Sequence, residues 1–498
     1  MSMYSTRGHA CGTVSQSILW GLSYDGGLYV PSIYPQMSME RLASLCGESY
    51  QKIASRVLRD LLEDYSISEI EACVENAYTS ENWENKDIVP LTELSGAVYV
   101  AELFHGPTLA FKDIALSILP YFIRLAADKN NEKREISIMV ATSGDTGKAA
   151  LEGFKNVAGT SCTVFYPQHG VSKVQQLQMI TTDGNNTHVI GVNGNFDDTQ
   201  TAVKKMLSSN DFRERMNAFG KLPSSANSIN FGRLIPQIVY YFTSYINLVK
   251  NGKIRFGQEV NFVVPTGNFG DILAGYYAKN MGLPIRRLIC ASNRNNVLTD
   301  FFNSGTYYAN RCFYQTMSPS MDILISSNLE RLLFDLTNRD ASLVSLWMNQ
   351  LKESGSFCIG TERLSQMNKI FSAGYADDMM TAEEIKTVFE RTRYLMDPHT
   401  AVASRVLRDY RLQTNDHTPS IILATASPYK FAPDVLASLE NRPRNASDDF
   451  FACSEKLEKM SGMPVPRQIR NLVDLPVRHQ RVCEVDDMQK EIFSELGI

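Results

Sequence analysis

The sequence has no long apolar run, no dense basic segment and no regularly spaced cysteines, and each absence argues against a class of function. No stretch is long and apolar enough to cross a bilayer, and the first residues lack an apolar signal core, so we expect no membrane partner. The formal net charge is -5 and the Lys and Arg residues are dispersed, which argues against nucleic acid as a partner.

The nine cysteines are scattered along the chain, with no Cys-x-x-Cys pair and no spacing that suits metal ligands. An odd number of cysteines without a pairing pattern is typical of proteins from a reducing compartment. We therefore expect a cytoplasmic protein without structural disulfides and without a bound metal.

The chain has 498 residues, of which 44% are hydrophobic and 21% charged, so its composition is globular and its length exceeds one compact core. Two or three domains are expected. Helical periodicity between residues 38 and 78, followed by a polar connector, indicates a separate amino-terminal lobe that ends near residue 95.

Beyond this lobe, strand-like and helix-like segments alternate in two blocks, which predicts an α/β architecture with two parallel sheets. The alternation of strand and helix patterns is least clear in residues 293–378, where loops and helical patterns are mixed. The predicted domains are residues 1–95 for the amino-terminal lobe, residues 96–125 and 226–498 for a large α/β domain, and residues 126–225 for a smaller, mobile α/β domain.

Lys112 lies where a strand and a turn end and a strongly apolar segment, residues 114–125, begins. An ammonium group in such surroundings is poorly solvated, so its pKa should fall and a free amine should exist near neutral pH. A free amine can form a Schiff base with a carbonyl compound. The alternative is a lysine whose packed stem carries its ammonium group to solvent.

Two loops have the strand, tight turn and helix pattern that binds anions through backbone N-H groups. The first loop contains Ser143, Gly144, Asp145 and Thr146, and a purely structural turn is its alternative. The second loop follows the strand pattern 261–264 and is the sharper signal, although an ordinary strand-to-helix turn is possible there too.

Gly267 and Gly270, which flank Asn268 and Phe269 in the second loop, let the backbone approach a phosphate closely. A phosphate cradle together with an amine that can form an imine suggests pyridoxal phosphate as the cofactor. Its aldehyde would react with Lys112 while its phosphate occupies the loop.

Two more segments carry polar groups that suit the same site. Asn227 and Ser228 offer amide and hydroxyl donors, and Arg233 adds a guanidinium suited to a phosphate or carboxylate, unless it is simply paired on a helix face. Thr425 follows the strand pattern 421–424 and places a hydroxyl at a sheet edge where ligands bind, with helix capping as the alternative. His105 and His399 are interpreted as loop histidines without a role in proton transfer.

Taken in order, these segments resemble the threonine synthases, specifically the longer branch of that family with an N-terminal lobe, among the fold-type-II pyridoxal-phosphate enzymes. The resemblance runs almost from end to end. It rests on residues 4–7, 25–31, 104–108, 111–113, 141–147, 227–230, 265–271 and 398–402.

The resemblance implies the fold and the roles of the site residues. The fold would be that of the tryptophan synthase β-like enzymes, with two parallel-sheet α/β domains. The implied roles are Lys112 as the Schiff-base lysine, Gly267, Asn268, Phe269 and Gly270 as the phosphate cradle, Thr425 as partner of the pyridine nitrogen, and Ser143, Gly144, Asp145, Thr146, Asn227, Ser228 and Arg233 as the substrate site.

The implied reaction converts O-phospho-L-homoserine and water to L-threonine and phosphate in a monomer or homodimer. Two alternatives remain at this point: a phospho-lyase or dehydratase of the same fold that gives 2-oxobutyrate, and a catalytically idle binding or regulatory homologue. Where the family commonly reads Thr-Ala-His-Pro-Ala-Lys-Phe, residues 425–431 read Thr-Ala-Ser-Pro-Tyr-Lys-Phe. Ser427 in place of that histidine bears on turnover and substrate preference.

Overall fold

The computed structural model describes residues 1–9, 11–445 and 447–498, and for Asp197 only the backbone. In this part of the chain the β-strands are β1 (Met3–Ser5), β2 (Cys11–Gly12), β3 (Tyr29–Pro31), β4 (Leu91–Ser95), β5 (Val98–Glu102), β6 (Glu135–Ala141), β7 (Thr160–Pro167), β8 (Thr187–Asn193), β9 (Lys221–Ser225), β10 (Val260–Pro265), β11 (Ile285–Ser292), β12 (Thr306–Tyr308), β13 (Ser356–Cys358), β14 (Phe371–Tyr375), β15 (Ser420–Ala424) and β16 (Arg481–Glu484).

The α-helices occupy most of the connections between these strands. They are α1 (Val14–Trp20), α2 (Met39–Ser44), α3 (Tyr50–Leu61), α4 (Ile67–Ala77), α5 (Lys112–Leu116), α6 (Leu119–Lys129), α7 (Asp145–Phe154), α8 (Lys173–Ile180), α9 (Phe196–Ser208), α10 (Asn210–Ala218), α11 (Phe231–Lys250), α12 (Gly270–Asn280), α13 (Val297–Ser304), α14 (Leu329–Leu336), α15 (Ala341–Ser354), α16 (Thr361–Met367), α17 (Asp378–Thr392), α18 (Pro398–Thr414), α19 (Ala432–Leu439), α20 (Phe450–Ser461), α21 (Arg467–Arg470) and α22 (Met488–Leu496).

The larger sheet has six strands in the order β14-β11-β10-β15-β5-β4, and every neighbouring pair is parallel except β4 with β5. Its central strands are buried on both faces, because α18 packs on one side and α12 on the other. Helix α11 is apolar around nearly its whole circumference and lies buried against α3, α5 and α12.

The second sheet has five strands in the order β16-β8-β7-β6-β9, all parallel. Its outer hydrophobic cluster combines the helix α9 with residues from the carboxyl end of the chain, including Met488 and Ile492. The carboxyl-terminal segment that contains β16 and α22 therefore packs with the lobe built from residues 126–225, and not with the large domain of residues 226–498 as expected.

The sequence of β16 does not have the pattern that predicts a strand. It has four residues, and only Cys483 among them is buried, so no alternation of apolar side chains marks it as a strand. Its backbone pairs with β8 at the edge of the sheet. β4 likewise belongs to the larger sheet although residues 91–95 were assigned to the amino-terminal lobe.

The amino-terminal lobe consists of the antiparallel sheet β2-β1-β3 and the helices α1 to α4. It joins the rest of the molecule through α1 against α6 and α3 against α11. The apolar segment 114–125 forms the end of α5 and most of α6, with a break near Ser117. Among the described residues no helix combines the length and apolarity needed to cross a membrane.

Candidate active site

Three neighbouring strands of the larger sheet, β5, β15 and β10, lead into one cavity. β5 continues through residues 103–111 to Lys112, β15 is followed directly by Thr425, and β10 is followed directly by Thr266. Because these strands are parallel, their carboxyl ends meet at one edge of the sheet, where ligands bind in α/β enzymes. The residues lining the cavity are Phe111, Lys112, Thr146, Ser228, Arg233, Gln237, Pro265, Thr266, Gly267, Asn268, Phe269, Gly270, Asp271, Ser320, Met321, His399 and Thr425.

Lys112 is the first residue of α5, and the backbone just before it is fixed to the neighbouring strand. The N-H of Phe111 donates to the carbonyl oxygen of Thr425 at 2.9 Å. The side chain of Lys112 is 10% exposed, and its Nζ lies 3.3 Å from Oδ2 of Asp145 and 3.5 Å from Oγ of Ser320. Burial lowers the pKa of Lys112, Asp145 opposes this shift, and the nearby cations Lys430 and Arg233 lower the pKa further.

Asp145, the first residue of α7, is a buried carboxylate with a partner for each lone-pair direction. Oδ1 accepts from Nζ of Lys430 at 2.8 Å and from Nε2 of Gln175 at 2.9 Å. Oδ2 accepts from Lys112 and from Oγ of Ser320 at 3.1 Å. Burial alone raises the pKa of Asp145, but the two lysines and these hydrogen bonds hold that pKa well below its ordinary value.

The loop between β10 and α12 presents its backbone N-H groups to the cavity. The carbonyl oxygen of Gly267 accepts from Oγ of Ser326 at 2.8 Å, and that of Asn268 accepts from the N-H of Asn328 at 3.1 Å. In a trans peptide the N-H points opposite to the carbonyl, so the N-H groups of Asn268 and Phe269 face away from residues 326–328. The loop and the N-terminus of α12 together form a neutral anion cradle.

Three residues of this loop have features that bear on ligand binding. A Cβ on Gly267 would lie 2.7 Å from the carbonyl oxygen of Ser320, so no larger residue fits without moving that backbone. Phe269 has φ of 63°, a left-handed conformation that is costly for a bulky residue and is typical of functional sites. Oδ1 of Asn268 is buried without a partner among the described residues, which indicates a polar group from outside the chain.

Arg233 is buried in the cavity wall near the start of α11, and its contacts are with neutral groups. Its Nη1 donates to the carbonyl oxygen of Ala226 at 2.8 Å and its Nη2 to Oγ1 of Thr146 at 3.3 Å. Within the described chain no carboxylate lies within 4.0 Å of the guanidinium. Burial lowers the pKa of Arg233 to about 10, so the group remains a cation and its desolvation favours a bound anion.

The other predicted site residues divide into those that reach the cavity and those that support it. Thr146, Ser228 and Thr425 line it directly. Asn227 does not, because its Nδ2 donates to the carbonyl oxygen of Ala141 at 3.0 Å and joins the start of α11 to the end of β6. Ser143 and Gly144 also lie outside the wall; the predicted substrate contacts of all three residues stay predictions.

A larger cavity of about 580 Å³ lies between the amino-terminal lobe, α9 and α15, and it contains none of the predicted site residues. Its charged pair Arg7 and Glu330 is internally satisfied by two hydrogen bonds. We therefore place the candidate active site at Lys112.

Three family profiles match successive parts of the chain. "Threonine synthase N terminus" matches residues 2–78, "Pyridoxal-phosphate dependent enzyme" matches residues 80–346, and "Threonine synthase, C-terminal" matches residues 400–492. A threonine synthase of Pseudomonas aeruginosa is 40% identical over 433 residues, which cover 86% of this chain and 89% of that relative. The chain belongs to the threonine synthase family.

Solved structures of the family share the whole architecture. The PLP-bound threonine synthase of Brucella melitensis has a TM-score of 0.86 at 38% identity and covers 100% of this chain and 98% of that one. Yeast threonine synthase has a TM-score of 0.87 at 32% identity, with 100% and 99% covered. A human relative, "Threonine synthase-like 1", is 39% identical over 442 residues, but these span only 58% of its length and 86% of this chain.

The residues in the cavity fit pyridoxal phosphate, the cofactor of this family. Lys112 offers a buried amine with a lowered pKa, and the loop from Gly267 to Phe269 offers neutral N-H donors for a phosphate. Thr425 offers a hydroxyl from the end of β15, the strand that lies between β5, which leads to Lys112, and β10, which leads to the loop. In the described chain no cluster of His, Cys, Asp or Glu is arranged to hold a metal ion.

Sequence reasoning missed three residues that contact Lys112 or hold its partners in place. Ser320 comes from the irregular segment 293–378 and gave no signal. His399, interpreted as a loop histidine, accepts the N-H of Ser320 at Nε2 (3.2 Å) while its Nδ1 contacts Asp397 at 2.7 Å, so it holds Ser320 in place. Lys430 could have been noticed, because it is a lysine in an apolar segment directly after the strand that carries Thr425.

Ser427, which stands where the family commonly has histidine, is buried and caps a short turn. Its Oγ accepts the N-H of Tyr429 at 3.3 Å, at the start of the 3-10 turn Pro428–Phe431. It does not line the cavity. The carbonyl oxygen of Ser427 also accepts the N-H of Lys430 at 3.1 Å, so this serine begins the turn that carries Lys430.

Proposed function

We propose that the chain is a pyridoxal-phosphate-dependent threonine synthase that converts O-phospho-L-homoserine and water to L-threonine and phosphate, the last step of threonine biosynthesis. The observation that carries this proposal is the pairing, in one cavity, of a buried amine at Lys112 with a buried guanidinium at Arg233 that lacks an acidic partner. The amine of Lys112 suits proton transfer, and the guanidinium of Arg233 suits a phosphate-bearing substrate.

Lys112 would hold the cofactor by its amine, the loop of Gly267, Asn268, Phe269 and Gly270 would hold the cofactor's phosphate, and Thr425 would face its ring nitrogen. When bound, pyridoxal phosphate supplies an electron sink for the carbanion at the substrate Cα. A hydroxyl at Thr425, unlike a carboxylate, would leave the ring nitrogen largely unprotonated.

Once the substrate has displaced it, the amine of Lys112 serves as the general base. It accepts the proton from Cα and, after it has released that proton, accepts one from Cβ; burial lowers its pKa, which favours the uncharged form that this role needs. Asp145 lies 3.3 Å away and stabilises the ammonium that forms. The balance is completed when one proton is delivered to Cγ and one returns to Cα, while water supplies the hydroxyl at Cβ and its remaining proton leaves with phosphate.

Arg233, Thr146 and Ser228 would receive the leaving phosphate. Negative charge grows on that group as the Cγ-O bond breaks, and donors fixed in advance stabilise it most in the transition state. The phosphate of the cofactor already has the neutral backbone cradle, so the guanidinium is assigned to the substrate. Ser143, Gly144, Asp145 and Asn227 would complete the substrate side of the site.

We further propose a cytoplasmic enzyme, monomeric or homodimeric, whose only partner in the reaction is a small molecule. The nine cysteines are all free thiols, which suits a reducing compartment.

The decisive experiment incubates the purified protein with O-phospho-L-homoserine and measures threonine, 2-oxobutyrate and phosphate together. Equal amounts of threonine and phosphate are expected. A product that is mainly 2-oxobutyrate would make the chain a phospho-lyase or dehydratase, and no phosphate release from a cofactor-loaded protein would make it a binding homologue. Lys112→Ala provides the inactive control.

A further inference from the structure

Lys430 is a second buried lysine on the same carboxylate as Lys112. Its side chain is 0% exposed, and its Nζ lies 2.8 Å from Oδ1 of Asp145 and 2.9 Å from the carbonyl oxygen of Thr108. Two lysine amino groups therefore share one buried carboxylate. A structural ion pair needs only one cation, and burying an additional one costs desolvation energy.

The three charges come from three places in the fold. Lys430 follows the central strand β15, Lys112 begins α5, and Asp145 begins α7 beside the second sheet. The contact between Lys430 and Asp145 thus joins elements from the two halves of the molecule, next to the amine of Lys112.

We propose that Lys430 is a positioning residue that neutralises and holds Asp145, so that Lys112 acts as an uncharged amine. The inference rests on the proposed function only in that it takes Lys112 as the reacting amine. With Lys430 in place, the negative charge of Asp145 is divided between two cations, and Lys112 is less strongly held as an ammonium. Without Lys430, the whole charge of Asp145 would act on Lys112 and keep it protonated.

The directions of the pKa shifts agree with this geometry. Lys430 lowers the pKa of Lys112, while Asp145 raises it. The titratable and charged groups facing this pair from the packed elements are Asp145 on α7, Arg233 on α11, Asp271 on α12, Asp113 on α5 and, through Ser320, His399 on α18.

The test measures the protonation of Lys112 itself. Full-length protein freed of cofactor is labelled with trace amine reagent at a series of pH values, and labelling of Lys112 is quantified by peptide mass spectrometry. Lys430→Met should lower the labelling rate of Lys112 at pH 8 about tenfold, the equivalent of one pKa unit. Lys430→Arg, which keeps the charge, should stay within about twofold of wild type.

Two further variants separate this role from a structural one. The double variant Lys430→Met with Asp145→Asn should restore the labelling of Lys112, because it removes the charge that Lys430 neutralises. Lys148→Met is the matched control, since Lys148 lies on α7 and pairs with Glu152 at 2.7 Å. A folded Lys430→Met protein whose Lys112 titrates as in wild type would overturn the proposal.

If Lys430→Met does not fold, Lys430→Gln takes its place, because its uncharged amide can still donate to Asp145 and to the carbonyl oxygen of Thr108. It should lower the labelling of Lys112 as Lys430→Met does, and an unchanged rate would contradict the proposal. The proposed function fails separately: borohydride reduction of the cofactor-loaded protein would then place the cofactor on a lysine other than Lys112.

Discussion

Arg233 is a buried cation with neutral hydrogen-bond partners, and this makes its position sensitive to shape as well as charge. The two sides of its guanidinium are held by the Ala226 carbonyl and by Thr146. The planar guanidinium can keep both contacts while it binds two oxygens of a phosphate. The ammonium of a lysine cannot do both.

We expect Arg233→Lys to retain normal cofactor content while lowering turnover of O-phospho-L-homoserine roughly 100-fold or more, as the loss of one preorganised donor does. Steady-state kinetics and the cofactor's visible absorbance are the measurements. Arg286→Lys, at a half-exposed side chain, is the control. If Arg233→Lys instead loses its cofactor and turns over normally once it is resupplied, Arg233 belongs to the cofactor's phosphate.

Asp271 is a buried carboxyl group in the first turn of α12. Burial raises its pKa to about 6, although hydroxyl donors from Tyr240 and Tyr241 oppose the shift. Because the folded protein binds this proton more tightly than the unfolded chain, Asp271 contributes stability below pH 4 that is lost as pH rises to about 6.

Asp271→Asn should remove this pH dependence, which is of the order of 3 kcal/mol when the pKa of a carboxyl group rises from its ordinary value to about 6. Denaturant unfolding of both proteins at pH 4, 5, 6 and 7 measures the difference in slope. Asp474→Asn, at an exposed site, should behave as wild type does. Parallel stability curves for wild type and Asp271→Asn would show that the carboxyl group is already charged at pH 4.

At the scale of elements, the loop between β10 and α12 depends on a close approach to the segment that carries Ser320. Gly267→Ala would bring a methyl group within 2.7 Å of the Ser320 carbonyl oxygen. Such overpacking costs about 1–3 kcal/mol, so we expect cofactor affinity to fall about tenfold, measured by absorbance titration.

Gly270→Ala serves as the comparison in the same loop, because its added methyl would meet nothing nearer than 3.5 Å. Its melting temperature should equal that of wild type. Equal cofactor affinity for Gly267→Ala and wild type would mean that residues 318–321 yield easily and do not shape the cradle.

The carboxyl-terminal elements β16 and α22 complete the second sheet and its outer cluster. Ile492 is 0% exposed there. Ile492→Ala should therefore lower the free energy of unfolding by about 2–5 kcal/mol, and amide hydrogen exchange should quicken first in β6 to β8. Val482→Ala, at a side chain that is 45% exposed, is the control and should change stability little. Faster exchange confined to the larger sheet would refute this packing.

At the scale of the whole molecule, the site is shared by two sheets. Thr146 and Asp145 begin a helix beside the second sheet, whereas Lys112 and Thr425 belong to the larger one. We expect the lobe around residues 126–225 to close on the substrate and exclude water until the addition step.

Crystal structures with and without a phosphonate analogue of the substrate measure this closure, and a matched pair of Arg233→Lys structures tests whether the anion drives it. Ligand-free and ligand-bound structures that superpose without relative movement of the lobes would remove closure from the mechanism.

By itself the sequence determined the class of fold and the local parts of the site. Alternating strand and helix patterns, the loop at Gly267 to Gly270 and the amine at Lys112 are set by neighbours within about ten residues, so periodicity and turn chemistry reveal them. The family resemblance added the reaction.

Only the tertiary structure decided which distant groups meet. Lys430 and Asp145 are 285 positions apart, Ser320 comes from a segment without periodicity, and β16 joins β8 across most of the chain. Contacts of this kind depend on how distant elements pack and on how backbone groups pair at a sheet edge. The local sequence around each residue does not show which distant residue it will meet.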